Sequence, residues 1–196
     1  MSHSTALPTF RLEPGTALAQ ASPARPGRVG LEAPALSVMT DLTQVRAATV
    51  HPATKLAQAE QTMIHQGVRM LFVVTHMPLI EGLITTTDLH GEHQMRAVHE
   101  RGQRYDELCV ADVMTALSLL DAVDYARMRS ATVSDAIAAL KHHGRHHLLV
   151  VEQTGGLATR RVRGVISCSQ IERQTGVTID LMPIASSFSE IERALH

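Results

Sequence analysis

Apolar positions along this chain change period in a regular way, and each change predicts an element. Leu56, Ala59, Met63 and Ile64 recur at helical spacing on one face, and Gly67 follows as a cap just past the end. The continuous apolar run from Met70 to Thr75 has the length of a strand. His76-Met77-Pro78 reads as a turn and Gly82 to Thr85 as a second strand. Ahead of them, Val45 to Val50 predicts a short strand stopped by Pro52. The polar stretch from Thr86 to Tyr105 reads as a connecting helix.

The same order returns in the second half. Thr132 and Asp135 have capping-box spacing, and Val133, Ala136, Ile137 and Leu140 form an apolar face behind them. Ala138 and Ala139 make this helix apolar nearly all round, which predicts burial on more than one side, against its own sheet and a partner subunit. Gly144 ends the helix, Leu148 to Glu152 is the next strand, Thr154-Gly155-Gly156 a hairpin turn, and Val162 to Ser167 the strand that pairs back. Ser187 and Glu190, followed by Ile191, Ala194 and Leu195, predict a short amphipathic helix in the tail.

These halves are two copies of one unit, which suggests a pseudo-symmetric module with a cleft between the copies. Gly82-Leu83-Ile84-Thr85-Thr86-Thr87-Asp88 returns as Gly164-Val165-Ile166-Ser167-Cys168-Ser169-Gln170, and Val38-Met39-Thr40 as Val113-Met114-Thr115. The copies differ where Asp88 becomes Gln170, and Leu120 to Thr132 carries extra residues. The chain divides into an extended Pro/Ala/Gly-rich arm (1–35), a first repeat with its connecting helix (36–106), a second repeat (107–176) and a tail (177–196).

Composition narrows the function classes. A formal net charge of −1 gives no electrostatic footprint for nucleic acid or an anionic membrane. No apolar stretch approaches the roughly 20 residues of a bilayer span, and the N-terminus lacks a secretory pattern, so a cytoplasmic location is expected. Cys109 and Cys168 have no metal or redox spacing and read as buried free thiols. Four histidines crowd into His142 to His147, as a metal-binding, phosphate-facing or solvated cluster. No nucleophile–base pair, paired metal carboxylates or cofactor fingerprint is visible, so no enzyme and no structural metal are expected.

The Val-Met-Thr openings, the helix–Gly–strand blocks and the closing motif of Gly, two apolar residues, Thr or Ser, two free positions and Asp resemble a tandem pair of CBS domains, a Bateman module, over about residues 36–176. The resemblance implies an α/β fold of two β-α-β-β-α units packed by their sheets with pseudo-two-fold symmetry. It also implies a homodimer and a regulatory ligand, an adenine nucleotide (AMP, ADP or ATP) or S-adenosylmethionine, with the output passed to an effector protein. Carried onto this chain, Asp88 would hold the ribose, with Thr85 and Thr87 beside it. Adenine would rest near Val50, His51 and Pro52, and phosphate would face Arg69 and, in the second unit, Arg145, His146 or His147. Ser167 and Gln170 form a degenerate second site, because a neutral amide accepts through one oxygen where a carboxylate offers two.

The residues themselves admit a plainer reading. Thr85 with Asp88, and Ser167 with Gln170, have the spacing of helix capping boxes. A dimeric interaction module that binds no ligand is the alternative function.

Overall fold

The computed structural model describes residues 28–90, 104–154 and 159–181. In the first unit, β2 (Thr49–Val50) runs parallel to β3 (Met70–Val73), with α1 (Leu56–Gln66) crossing between them. Strand β4 (Gly82–Thr85) pairs antiparallel with β3 and leads into α2 (Thr86–His90). The second unit repeats this with β6 (Ala122–Asp124), α5 (Val133–His143), β7 (His147–Thr154), β8 (Thr159–Ser167) and α6 (Cys168–Thr175). Its extra residues form α4 (Tyr125–Ser130), capped by Asp124, whose Oδ1 accepts from the Ala126 amide at 2.7 Å.

Each unit gives its opening segment to the other. β1 (Thr40–Asp41) leaves the first repeat and pairs with β8, while β5 (Thr115–Ala116), which follows α3 (Val110–Val113), pairs with β4. The two four-stranded sheets are therefore β2-β3-β4-β5 and β1-β8-β7-β6. The Val-Met-Thr motif marks the two exchange points. Val38 is buried in the core of the second unit beside Met128, Val133 and Leu140, and Val113 is buried in the core of the first beside Leu56 and Ala59. Each fully buried valine contributes on the order of 1.5–3 kcal/mol.

The backbone bonds repeat with the sequence. The Val110 amide donates to Thr54 O and the Ala35 amide to Ala131 O, both at 2.9 Å. The Thr86 amide donates to Arg69 O and the Cys168 amide to His146 O, both at 3.0 Å. A third apolar layer joins the sheets face to face, with Met70, Phe72, Val74 and Leu83 of the first unit against Leu149 and Val165 of the second.

Most element expectations hold, and the departures have simple causes. Gly67 and Gly144 end α1 and α5 with φ of 64° and 59°, where glycine has no Cβ penalty. Ile64 is 63% exposed and leaves the predicted α1 face. It follows Met63 by one position, about 100° round the helix, so only Leu56, Ala59 and Met63 point inward. The strand expected from Val45 shortens to Thr49–Val50, with Val45 exposed. Strands β7 and β8 run longer than read. On α5, Ala138 is exposed while Ile137 and Ala139 pack against the unit's own core. Most of the connecting helix, the Gly155-Gly156 turn, most of the N-terminal arm and the tail helix lie outside the described residues.

The exchanged strand β1 is fastened by charge. Arg163 on β8 donates from Nε and Nη2 to the two oxygens of Asp41 at 3.0 and 2.8 Å, and from Nη1 to Glu152 at 3.3 Å. Its guanidinium also lies over the Tyr125 ring, 5.1 Å from the centroid. These bonds, then those from the Thr43 hydroxyl and amide, hold the Asp41 carboxyl well below the usual carboxylate range. A depressed carboxylate stabilises the fold above its unfolded pKa of about 3.9 and stops doing so as pH falls through the folded value. Asp41→Asn is therefore expected to melt lower than wild type at pH 7 and to lose less on acidification from pH 5 to pH 2. Parallel melting curves for the two proteins across that range would show that the pair contributes nothing.

Candidate functional site

The sheet exchange makes one cavity from both repeats. It has a volume of about 230 Å³ and sets Thr85, Thr87 and Asp88 of the first unit against Arg145, His146 and His147 of the second. Leu120, Asp121, Leu148 and Leu149 add to the second unit's side, and Thr115, at the start of β5, also lines it.

The β4–α2 junction places the acid. Thr85 ends β4, and Asp88 sits in the first turn of α2. Asp88 Oδ2 accepts from the Thr85 amide and from Thr85 Oγ1, both at 2.8 Å, and the Asp88 amide donates to Thr85 Oγ1 at 3.4 Å. The capping box read from the spacing is present, and it fixes the carboxylate at the cavity wall. Asp88 is half-buried and Thr87 exposed.

The turn from α5 to β7 places the bases. Gly144 reverses the chain in the left-handed region, so His142 and His143 stay on the helix while Arg145, His146 and His147 turn toward the cavity. Arg145 Nη2 also donates to Leu119 O at 3.4 Å. His143 Nδ1 lies 3.5 Å from Asp121 Oδ2, and the His142 and His143 rings meet edge to face at 5.1 Å. The histidine cluster is thus split in two by its glycine. No group of three or more His, Cys, Asp or Glu placed to hold a metal occurs among the described residues.

Burial pushes the His147 imidazole down to about 4, and the positive charges of His146 and Arg69 add to that. Arg69 precedes β3 at the position that His146 holds before β7. It is exposed and outside the cavity lining, yet near enough for its charge to act on His147.

Both cysteines are free thiols. Burial raises Cys168 to about 11, with Glu172 adding to the shift. Cys109 is half-buried and raised too, first by burial and then by its hydrogen bond to Asp112, which it caps at the start of α3.

Val50, His51 and Pro52 stand apart from this cavity. Val50 is buried in the first unit's core, His51 Nδ1 accepts from the Ala53 amide at 3.1 Å, and Pro52 O accepts from the Ala111 amide at 2.9 Å. The residues facing Asp88 come instead from the chain just before β6, Leu120 and Asp121, three positions ahead of the repeat counterparts of Val50 and His51. Reading the sequence one repeat at a time pairs Asp88 with the strand of its own unit. The exchange of strands, which no local pattern announces, brings it to the other.

A second cavity of about 540 Å³ contains Gln170, with Thr40, Asp41 and Tyr125 in its wall. Gln170 and Thr40 are the counterparts of Asp88 and Thr115. Ser167 accepts from the Gln170 amide at 3.3 Å, but the Gln170 side chain turns away from it to accept from Arg173. This half-made box leaves no carboxylate at the repeat's closing position. Asp41 in the same wall is held by Arg163.

Residues 37–92 match the CBS domain family, and the second repeat follows the first in topology and hydrogen bonding. The chain thus carries a CBS-domain match over its first repeat, and its α/β fold repeats the topology of that unit in the second half. Among solved structures, it is similar to a conserved protein from Pyrococcus horikoshii (TM-score 0.54, 20% identity, covering 78% of this chain and 98% of that one). It is similar also to CBSX2, a CBS-pair protein of Arabidopsis thaliana, in complex with AMP (TM-score 0.51, 19% identity, 72% and 94%). A Methanocaldococcus jannaschii protein described as a putative archaeal homolog of g-AMPK aligns with TM-score 0.51 and 18% identity, over 70% of this chain and 48% of that one. No curated protein matches the chain in sequence. No helix among the described residues is long and apolar enough to cross a membrane.

Proposed function

We propose that this chain is a regulatory module that binds an adenine nucleotide in the cavity between its repeats and signals to a partner protein. The observation that carries the reading is the composition of that one cavity. It opposes the fixed Asp88 carboxylate with Thr85 and Thr87, groups that accept from sugar hydroxyls, to Arg145, His146 and His147, groups that face phosphate, with the Asp121 carboxylate beside them. Asp88, with Thr85 and Thr87, takes the ribose; Arg145 and His146 take phosphate; the apolar side chains of Leu120 and Leu149 receive the base. The AMP complex of CBSX2, a protein of similar fold, supports the choice of ligand class.

The ligand bridges groups from both repeats, so it binds most tightly to one relative placement of them. That differential affinity is all a switch requires. Homodimerisation belongs to the same proposal, with the exposed Ile64 on α1 as an apolar contact.

Calorimetric titration with AMP, ADP, ATP and S-adenosylmethionine, with GTP for comparison, tests the reading. The expected result is binding of at least one adenine ligand with one site per chain, since the second cavity lacks the acid of the repeat motif. Absence of binding at millimolar concentrations of all four would overturn it. That outcome would favour an interaction module without ligand, for which exposed Met77, Leu79 and Leu119 offer apolar surface.

A further inference from the structure

The cavity sets two carboxylates, Asp88 and Asp121, against one guanidinium, Arg145. Its other basic groups are the imidazoles of His146 and His147. An anionic ligand entering such a site meets little fixed positive charge. Among the described residues, protonating an imidazole is the way the wall itself gains more, and His147 is the ring set deepest, at the start of β7.

We propose that anion binding in this cavity is linked to proton uptake at His147, so that the site responds to pH as well as to ligand. The inference rests on the reading of the cavity as the site of a phosphate-bearing ligand.

The groups around His147 set the sign. His146 from its own chain segment, Arg69 ahead of β3 and Arg145 after α5 are positive or can become so, and all oppose a charge on the ring. Asp88 on α2 and Asp121 before β6 favour one, but Asp121 is shared with His143. Ser167 lies opposite in register on β8, and Cys168, which opens α6, keeps a neutral thiol. Burial disfavours the charged ring most and the positive neighbours add to it, so the ring alone is neutral near pH 7.

A phosphate placed among Arg145, His146 and His147 reverses the balance. An opposite charge within about 4–6 Å raises an imidazole's proton affinity by roughly one to three pKa units. The proton comes from solvent, adds to the unprotonated ring nitrogen, and no other bond changes. The bound state then holds the proton more tightly than the free state. Affinity therefore rises as pH falls from the bound pKa toward the free value of about 4, by at most about tenfold per pH unit for one proton, and is flat above that window.

Calorimetry with AMP at pH 5.5 to 8, in paired buffers of different ionisation enthalpy, counts the protons taken up. The AMP phosphate itself titrates near pH 6, as monoesters do, so the quantity read is wild type minus His147→Asn. His147→Gln serves as a second variant. Wild type is expected to take up a larger fraction of a proton than either variant and to show the steeper gain in affinity toward low pH. A nuclear magnetic resonance titration of the His147 ring should move its midpoint upward when AMP is added, and this decides the matter if the variants bind nothing. Equal proton counts with AMP still bound, or an unmoved ring midpoint in AMP-saturated wild type, overturn the linkage and leave the ligand reading standing. No AMP binding by wild type at any pH overturns the linkage for AMP, and the ligand reading falls with it only if the other adenine ligands also fail.

Discussion

Gly82→Ala is expected to lower stability by about 3 kcal/mol, near the upper end for a forced overpacking. A Cβ built on Gly82 would stand 2.3 Å from the carbonyl oxygen of Thr115 and 3.2 Å from its carbonyl carbon. Those atoms are backbone of β5, the strand that the second repeat lends to the first sheet, paired with Gly82 through Ala116 in register. A side chain could swing aside, but this oxygen moves only if the strand does. Each kcal/mol is worth about 2–4 °C for a domain of this size, so the melting temperature should fall by on the order of 10 °C. Gly164→Ala is the internal comparison. Its Cβ would meet the Met39 side chain at 2.6 Å and Thr40 O at 2.8 Å. The thioether can rotate and the backbone contact is looser, so about half the loss is expected. A Gly82→Ala protein melting within 1 °C of wild type would show that β5 does not lie against β4.

The same glycines show how far the sequence could be read. Their place at the start of each repeat's closing motif is visible in the sequence, and so are the two sheets' central strands, both long helices, their glycine caps and the capping boxes. All of these are local: they follow from spacing within a dozen residues. What the close approach at Gly82 and Gly164 served was not visible, because the approaching strand lies more than 30 residues along the chain from Gly82 and more than 120 from Gly164. A glycine inside a strand signals close backbone approach without saying whose. The site divides along the same line. Thr85, Thr87 and Asp88 stand together because they are neighbours in sequence, and His146 joins them by the symmetry of the repeat. The sequence sets Val50 to Pro52 beside Asp88, whereas Leu120 and Asp121 line its cavity, because the exchange of β1 and β5 decides which segment of which repeat faces the acid. Arg163, fastening that exchange to Asp41, carried no signal at all in a polar strand end.

Asp88→Asn separates the two roles that one carboxylate holds. As a cap, Asp88 needs one oxygen, which accepts from the Thr85 amide and hydroxyl. Asparagine keeps one carbonyl oxygen at that place, and the Thr85 hydroxyl can turn to accept from the new amide. The start of α2 should therefore survive, with a stability loss under about 1 kcal/mol, well inside the range for cap substitutions. As a ribose acceptor, Asp88 needs its charge and both oxygens, since two sugar hydroxyls can donate only to acceptors. Hydrogen bonds to a charged group are worth about 1.5–3 kcal/mol, so the affinity for the adenine ligand should fall roughly 10- to 100-fold. Alanine at 88 would lose both roles at once and leave a weakened helix start as an explanation for weakened binding. The asparagine variant does not, provided its melting curve without ligand overlays that of wild type. A protein that melts like wild type and binds 10-fold or more weakly assigns the charge to the ligand. One that melts and binds like wild type assigns Asp88 to the helix alone. Any bound nucleotide would then be held chiefly from the second repeat's side, by Arg145 and His146.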